Sequence, residues 1–311
     1  MSLALVVGTA NPTLGDAIAS ALGVDRHPCI AERFPDGEIR VELGGTLRGC
    51  DVFVVQPTAP PVGDSLLELV LLGDAARRAG AARTVAVIPY FGYARADRRT
   101  GEGQPLAARL VGDLIGCARF DRAITVDLHT PGVEGLLPMP VDHLSAIPTV
   151  VAALAARAPE DAVIVAPDLG GAKRADAFAR RLHRPVAVVH KTRISGRQVE
   201  THGITGDVAG RTPILVDDMI STGSTIVASI EALRAHGCTA PAIVAATHGL
   251  LVGPARERLA KLAPAHVVLT DSVAHDASGL PEHVASIAPL LADAIRRIHE
   301  RRSLADLLHV S

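Results

Sequence analysis

Short apolar runs alternate along the chain with longer segments in which apolar residues recur at helical spacing. The runs predict buried strands and the segments between them predict helices. The predicted strands are residues 3–7, 52–56, 84–89, 123–126, 162–166, 186–190, 213–216, 242–247 and 266–269. One predicted helix spans residues 65–79, with Ser65 and Glu68 as a capping box and Gly80 after its end. This alternation indicates an α/β fold with mostly parallel sheets flanked by helices.

Two segments share the order strand, glycine-containing loop and helix, namely residues 3–16 and 163–173. The repetition hints at two similar halves, although any two strand–helix units share such an order. We expect domains at residues 1–146 and 147–311. Ligands in sheets of this kind bind beyond the carboxyl ends of the strands. The unusual polar residues of this chain follow predicted strands, so we expect a site there.

Composition narrows the class of protein. Hydrophobic residues make up 48% of the chain and charged residues 21%, which is typical of a globular protein. A formal net charge of −2 argues against general nucleic-acid binding. No apolar run approaches the roughly 20 residues that span a membrane, and the N-terminus lacks a basic leader. The cysteines lack metal-site spacing and predict reduced thiols. We therefore expect a cytoplasmic enzyme or binding protein.

The most specific pattern lies at residues 214–225, where an apolar strand leads into two adjacent carboxylates, Asp217 and Asp218. Small residues follow at the predicted start of a helix: Ser221, Thr222, Gly223, Ser224 and Thr225. Backbone N–H groups and hydroxyls at a helix start can bind an anion, and carboxylates can accept hydrogen bonds from sugar hydroxyls. The pattern predicts ribose 5-phosphate binding. An ordinary capped helix would explain the small residues but not the paired carboxylates.

Two other polar segments are ambiguous when taken alone. A turn sequence contains Phe34, Asp36, Gly37 and Glu38; it is either only a turn or a surface that stacks on a base. A cationic segment follows another predicted strand and contains Arg95, Ala96, Asp97 and Arg98. It is either a solvated loop or a phosphate-binding one, since guanidinium groups match phosphate oxygens.

Three further segments follow strands. His129 is either structural or an indirect contact to Mg²⁺ or a triphosphate, since magnesium prefers oxygen ligands. Asp168 either caps a glycine-rich turn or binds a cation or a sugar hydroxyl. Lys191 and Arg193 lie on a solvated loop or on a mobile lid that neutralises transferring phosphates. All of these segments share one location and one chemistry, which favours a phosphate-binding site.

With these motifs in view, the chain resembles the ribose-phosphate pyrophosphokinase family, the phosphoribosyl diphosphate synthetases. The resemblance spans nearly the whole length. It implies two similar phosphoribosyltransferase-like α/β domains, each with a mostly parallel sheet, and a homo-oligomer built from dimers. The implied reaction is Mg²⁺-dependent transfer of the diphosphoryl group of ATP to the C1 hydroxyl of ribose 5-phosphate. The products are 5-phosphoribosyl 1-diphosphate, which serves nucleotide biosynthesis, and AMP.

The resemblance also implies roles for individual residues, with ATP in the N-terminal domain and ribose 5-phosphate in the C-terminal one. It places ATP at Phe34, Asp36, Gly37, Glu38, Arg95, Ala96, Asp97 and Arg98, with Asp36, Gly37 and Glu38 facing an ATP bound mainly by the neighbouring subunit. It places Mg²⁺ at His129 and Asp168, and the catalytic flexible loop at Lys191 and Arg193. It places ribose 5-phosphate at Arg193, Asp217, Asp218, Ser221, Thr222, Gly223, Ser224 and Thr225. Ala96 stands where the family commonly has Gln, and Ser221 where many members have Asp.

Two alternatives remain open. A phosphoribosyltransferase would consume the diphosphate sugar, and the segment 217–225 does not distinguish it from a synthetase. The turn at residues 34–38, His129 and the Lys191 segment favour the synthetase, because a simple transferase needs none of them. A catalytically silent homologue that regulates a true synthetase is the second alternative; the retained cations Lys191 and Arg193 argue against it.

Overall fold

The computed structural model describes residues 2–193, 199–275 and 279–309. The chain folds into two compact units. The first unit contains the residues up to Ser145, Ser272–Ala274 and the residues from Ile287 onward. The second unit contains Ala146–Asp271 and His275–Ser286. Within the described part of the chain, no helix is long and apolar enough to cross a membrane.

The first half of the chain supplies seven strands and three helices among its described residues. They are β1 (Leu3–Val7), α1 (Pro12–Leu22), β2 (Cys29–Arg33), β3 (Ile39–Leu43), β4 (Asp51–Val55), α2 (Val62–Arg78), β5 (Arg83–Ile88), α3 (Ala107–Gly116), β6 (Arg122–Val126) and β7 (Val141–Leu144). Five of them form a parallel sheet in the order β1-β4-β5-β6-β7. β2 and β3 form a separate antiparallel hairpin.

The second half begins with a helix and ends with one. Its elements are α4 (Ile147–Ala155), β8 (Ala162–Ala166), α5 (Ala172–Leu182), β9 (Val186–Arg193), β10 (Val199–Thr205), β11 (Thr212–Ile220), α6 (Ser224–Ala235), β12 (Ile243–Gly249), α7 (Ala255–Leu262), β13 (His266–Thr270), β14 (Glu282–Ala285) and α8 (Ala288–His299). The strands form one sheet in the order β10-β9-β8-β11-β12-β13-β14. Only the β10–β9 pair is antiparallel.

The two sheets repeat one plan, as the sequence repetition indicates. The order β1-β4-β5-β6-β7 corresponds to β8-β11-β12-β13-β14, and a hairpin follows the first strand in both. The helix that follows the last strand of each sheet belongs to the other unit. α4 follows β7 but lies in the second unit, and α8 follows β14 but lies in the first. A division at residues 1–146 and 147–311 takes no account of this return of the chain, for which the hydrophobic pattern gives no signal.

Strand alternation builds the core of the second unit. Val163 and Val165 of β8 pack in one cluster with α6 and α7, whereas Ile164 packs in another with α4 and α5. Successive side chains of a strand point to opposite faces. Both faces of β8 are therefore covered by helices, and all five of its residues are buried. Parallel strands need such cover, which explains their continuous apolar sequence.

The predicted capping box of Ser65 and Glu68 is wrong. α2 begins earlier, at Val62 after Pro61, and no side chain in the described ranges caps its start. The Ser65 N–H donates to the Pro61 carbonyl at 3.0 Å, so Ser65 already lies within the helix. Glu68 is used elsewhere: it accepts hydrogen bonds from the N–H and the hydroxyl of Thr9 at 2.6 and 2.5 Å. A tertiary contact, not a local cap, uses the carboxylate.

Candidate functional site

The paired carboxylates lie inside β11, not beyond its end. The strand continues to Ile220 instead of stopping at residue 216, because β12 extends the ladder: Asp217 pairs with Ala246, and Met219 with His248. The predicted strand at residues 213–216 was therefore too short. The two acids are held by the ladder between β11 and β12, which fixes their positions more tightly than a loop would.

Arg174 of α5 lies beside both acids. Its Nη1 is 3.6 Å from Asp217 Oδ1 and 3.2 Å from Asp218 Oδ1. The Asp218 N–H also donates to Asp217 Oδ1 at 2.9 Å. A carboxylate has two oxygens and can accept hydrogen bonds from several donors at once. Sugar hydroxyls are donors of this kind.

Arg174 was not among the predicted site residues. It shares a helix face with the buried Phe178, four residues later. An arginine on the apolar face of a helix that follows a glycine-rich turn is the sequence signal that would have found it, since a buried cation requires a partner.

The electrostatics of the acid pair depart from those of surface carboxylates. Burial raises the pKa of Asp217 well above its usual range, and the neighbouring charge of Asp218 raises it further. Arg174 opposes both effects by lowering this pKa. Two crowded carboxylates with one cation favour a shared proton. The pair can therefore both donate and accept hydrogen bonds, as recognition of a diol requires.

The loop after β11 is suited to an anion. Gly223 has φ of 74°, a left-handed conformation, and α6 begins at Ser224 without a side-chain cap among the described residues. Its first N–H groups have no partner within the helix, and the N-terminus carries partial positive charge. Ser221 to Thr225 thus meet at a helix start, as the sequence predicts.

The same loop is anchored through its carbonyl groups. The Val252 N–H donates to the Ser221 carbonyl at 3.0 Å. Arg258 of α7 donates to the Thr222 carbonyl at 3.0 Å. These bonds hold the backbone of the loop in place. Arg258 lies far from the loop in sequence, and no local pattern predicts its role.

Asp168 follows β8 and is exposed. Its Oδ1 accepts a hydrogen bond from the Gly171 N–H at 3.0 Å, which caps the short 3-10 turn Leu169–Gly171 before α5. The interpretation of Asp168 as the cap of a glycine-rich turn is therefore confirmed. It engages one carboxylate oxygen, and the carboxylate as a whole has the oxygen chemistry that magnesium prefers.

The Lys191 segment differs from the prediction in its backbone. Both Lys191 and Arg193 lie within β9, where they pair with Thr201 and Val199 of β10. The predicted strand at residues 186–190 was too short, because the hairpin extends it. The side chains of Lys191 and Arg193, and residues 194–198, lie outside the described part, so the catalytic-loop assignment stays a prediction.

The predicted turn in the first unit joins β2 to β3. The Phe34 N–H donates to the Glu38 carbonyl at 2.8 Å, and the Gly37 N–H donates to the Phe34 carbonyl at 2.9 Å. Gly37 has φ of 96°, which only glycine adopts readily. The Phe34 ring is 44% exposed, so it is accessible to a stacking partner. Among the described residues, no hydrogen bond joins this turn to the Arg95 segment.

The Arg95 segment meets the end of β6. The Thr130 hydroxyl donates to Asp97 Oδ2 at 2.6 Å and so ties this segment to the residue after His129. Arg95, Arg98 and His129 are exposed. No carboxylate of the described chain lies within ion-pair distance of either arginine. Unneutralised guanidinium groups at a strand end are suited to phosphate.

Comparison with known proteins agrees with this geometry. Residues 3–118 match the family model for the N-terminal domain of ribose phosphate pyrophosphokinase. Residues 194–309 match the model for the phosphoribosyl synthetase-associated domain.

Full-length relatives give the same result. A ribose-phosphate pyrophosphokinase of Caldanaerobacter subterraneus is 43% identical, over 98% of this chain and 98% of the relative. One from Prochlorococcus marinus is 40% identical, over 98% of this chain and 94% of the relative. The crystal structure of phosphoribosylpyrophosphate synthetase from Mycobacterium smegmatis is 39% identical with a TM-score of 0.90, covering 97% of this chain and 100% of that one. The chain belongs to the ribose-phosphate pyrophosphokinase family.

Proposed function

We propose that this chain transfers the diphosphoryl group of ATP to the C1 hydroxyl of ribose 5-phosphate in a Mg²⁺-dependent reaction. The products are 5-phosphoribosyl 1-diphosphate and AMP. The observation that carries the proposal is the site of the second unit, where Asp217, Asp218 and Arg174 lie directly before an uncapped helix start. Membership of the family supports the same reaction.

Ribose 5-phosphate fits this site by its two ends. Its phosphate is assigned to the loop Ser221, Thr222, Gly223, Ser224 and Thr225, where N–H groups and hydroxyls converge. Its ring hydroxyls are assigned to Asp217 and Asp218. Arg174 holds the two acids in place without neutralising both.

ATP is assigned to residues of the first unit. Arg95 and Arg98 would bind the phosphates, with Ala96 as a further contact. The exposed ring of Phe34 would stack on a base, and Asp36, Gly37 and Glu38 would face an ATP bound mainly by the neighbouring subunit. Asp97 already accepts from Thr130, so it would hold the segment in place. Magnesium would be held by Asp168, with His129 acting through a bound water, and would neutralise charge on the triphosphate.

The remaining chemistry requires position and positive charge. The oxygen of the C1 hydroxyl attacks the β-phosphorus and loses its proton to solvent. The bond from that phosphorus to the α-β bridging oxygen breaks, and AMP leaves with that oxygen. Such transfer depends on in-line placement and on neutralisation of equatorial charge. Lys191 and Arg193 are assigned to this neutralisation, with Arg193 also contacting ribose 5-phosphate.

The proposal includes a cytoplasmic homo-oligomer built from dimers. The four cysteines, Cys29, Cys50, Cys117 and Cys238, are all free thiols, as expected in a reducing compartment. A formal net charge of −2 gives no general affinity for nucleic acid. Sedimentation of the purified protein would measure the assembly.

The test is to incubate the purified protein with ribose 5-phosphate, ATP and Mg²⁺ and to follow AMP and the diphosphorylated sugar together. Equal amounts of both are expected. ADP in place of AMP would mean an ordinary kinase. Turnover only when 5-phosphoribosyl 1-diphosphate and a base are supplied would mean a phosphoribosyltransferase. No turnover beside an active family member, with and without phosphate, would support the silent homologue.

Lys191→Ala tests the assignment of the transferring group. We expect turnover to fall about 100- to 1000-fold, the usual loss when one stabiliser of transition-state charge is removed. The melting temperature should stay unchanged. Lys261→Ala is the matched control, because Lys261 forms only an exposed ion pair with Glu257 on α7. Wild-type turnover in Lys191→Ala would remove Lys191 from the mechanism.

A further inference from the structure

The chain leaves the first sheet abruptly at the end of β6. Asp127 still donates its N–H to the Leu144 carbonyl of β7 at 3.0 Å. Its φ of 37° then turns the chain away from the ladder. The next N–H, that of Leu128, donates to Nε2 of His143 at 2.8 Å. A β7 side chain thus replaces a strand carbonyl as the acceptor, one residue before His129.

The ring of His143 is fixed in orientation and in tautomer. Because Nε2 accepts from Leu128, the ring proton lies on Nδ1, which donates to Glu134 Oε1 at 2.7 Å. His143 is 3% exposed. Burial lowers its pKa, which favours the neutral ring that this acceptor role needs. A polar residue buried within a short strand, with both nitrogens engaged, is a specific acceptor and not a filler of the core.

The C-terminal segment covers the other side of this ring. The His309 N–H donates to the His143 carbonyl at 2.7 Å, and the Ser145 N–H donates to the Leu307 carbonyl at 3.0 Å. The rings of His143 and His309 stack with centroids 4.6 Å apart and planes 13° apart. His309 Nδ1 is 3.6 Å from Asp127 Oδ1. His309 therefore contacts both the turning residue and the acceptor of the residue after it.

A metal centre explains this cluster less well. One potential ligand atom each from Asp127, His143 and His309 lies within 4.8 Å of the others. Both nitrogens of His143, however, are already used in hydrogen bonds to Leu128 and Glu134. Two remaining side chains fall short of the four ligands of a structural zinc site. The two hydrogen bonds of His143 instead hold a backbone segment.

We propose that His143 and His309 are positioning residues for the end of β6, and that the C-terminal residues 307–309 thereby belong to the ATP half of the site. His143 holds the Leu128 N–H, and His309 holds the ring of His143. The hydrogen bond from Thr130 to Asp97 then connects the end of β6 to the Arg95 segment. The inference rests on the proposed function, since His129 is assigned there to Mg²⁺ and ATP.

The test uses two pairs of variants. His143→Leu removes the acceptor, whereas His143→Gln can still offer an oxygen to Leu128. His309→Ala removes the stacked ring, whereas His309→Phe keeps one. The first readout is amide hydrogen exchange of residues 127–130 in the protein without nucleotide or metal. The second is the pair of KM values for Mg·ATP and for ribose 5-phosphate.

We expect faster exchange at residues 127–130 in His143→Leu and His309→Ala, and near wild-type exchange in their partner variants. The KM for Mg·ATP should rise about 2- to 10-fold, as the loss of one hydrogen bond or its support predicts. The KM for ribose 5-phosphate should stay the same. If His143→Leu does not fold, the His309 pair carries the test.

Unchanged exchange at residues 127–130 in His309→Ala would overturn the proposal. An equal rise in both KM values would also overturn it, because that pattern would indicate a general loss of structure. A wild-type protein that makes no AMP would refute the proposed function instead. The exchange comparison would still decide whether the two histidines hold the strand end.

Discussion

The two units share one strand order but treat the loop after their first strand differently. In the first unit the chain itself fills this loop. Thr9 donates its N–H and its hydroxyl to Glu68, and the Ala10 N–H donates to Gln56 Oε1 at 3.2 Å. A Cβ on Gly8 would lie only 2.3 Å from Gln56 Oε1. Side chains of α2 and of the residue after β4 thus pair with the hydrogen-bond donors of this loop.

The second unit uses the equivalent positions differently. Asp168 follows β8 and is exposed while it caps its own turn. β11 is the counterpart of β4. It carries Asp217 and Asp218 near its end, whereas in the first unit Gln56 follows directly after β4. Groups that satisfy one another stabilise a fold, whereas crowded charge beside an uncapped helix is suited to a ligand. The comparison therefore predicts that matched changes affect stability in one unit and activity in the other.

Asp218→Asn should give the largest effect, because it removes charge from the open site. We expect kcat/KM for ribose 5-phosphate to fall roughly 10- to 150-fold, from the loss of about 1.5–3 kcal/mol per charged hydrogen bond. Asp207→Asn is the matched control, since Asp207 is an exposed carboxylate of the same unit that faces Arg211 at 3.5 Å. Equal kinetics in the two variants would contradict the assignment of the acid pair.

Glu68→Ala should change stability and leave the site intact. The Thr9 donors lose their partner, which costs about 1–3 kcal/mol of the free energy of unfolding. Glu68→Gln should lose less, because its amide can accept from the N–H and donate to the hydroxyl oxygen. Urea unfolding of the three proteins measures this order. A raised KM for ribose 5-phosphate in folded Glu68→Ala would contradict the prediction that changes in the first loop affect stability and not activity.

Asp217→Asn should stabilise the second unit at neutral pH, because the buried charge of Asp217 beside Asp218 destabilises the fold. Burial raises the pKa of Asp217, so the native state binds more protons than the unfolded state between the ordinary and the raised pKa. Its contribution to stability is present below the ordinary pKa and is lost as pH rises through the raised one. The variant lacks this loss and should gain about 1–2 kcal/mol at pH 7.

Unfolding of Asp217→Asn and wild type at a series of pH values measures this difference. The difference in the free energy of unfolding between variant and wild type should widen from acid to neutral pH. The variant should be less active than the wild type. A constant gap would mean that Asp217 titrates normally and that the acid pair does not share a proton.

Hydrophobic runs predict most of the fold but miss the edges. All nine predicted strands exist, whereas β2, β3, β7, β10 and β14 were not predicted. Where burial is described, β2 and β3 alternate half-buried with exposed residues, and β7 and β14 carry acids and histidines. A central strand is apolar on both faces and can therefore be predicted from local sequence. The strands that were missed lie in a hairpin or at a sheet edge, and polar residues interrupt their sequence. β1 lies at an edge and β9 in a hairpin, but each contains an apolar run and was predicted.

The site was predicted where its chemistry is local in sequence. Asp217, Asp218 and the loop to Thr225 follow one another, so their types and order were informative. Arg174, Arg258 and His143 act on residues far along the chain. Their partners depend on which helix or strand packs beside which loop, and spacing along the chain does not encode that. The apolar helix face around Arg174 signals only that this cation needs a partner.

The smallest effect should come from two glycines that share a backbone conformation. Gly223 precedes α6 with φ of 74°, and Gly23 follows α1 with φ of 72°. A Cβ on Gly223 would meet nothing closer than 3.6 Å, and one on Gly23 would meet nothing within 4 Å. Each Gly→Ala change should therefore cost about 1 kcal/mol from left-handed strain alone.

Only Gly223→Ala should also raise the KM for ribose 5-phosphate, because the strain falls on the N–H groups assigned to its phosphate. Thermal unfolding should show equal losses in the two variants, and initial rates at varied ribose 5-phosphate should separate them. A higher KM in both would mean that any loss of stability reaches the site. An unchanged KM in both would mean that the turn at Gly223 tolerates strain without moving its N–H groups, and that the phosphate is held chiefly by the hydroxyls of Ser221, Thr222 and Ser224.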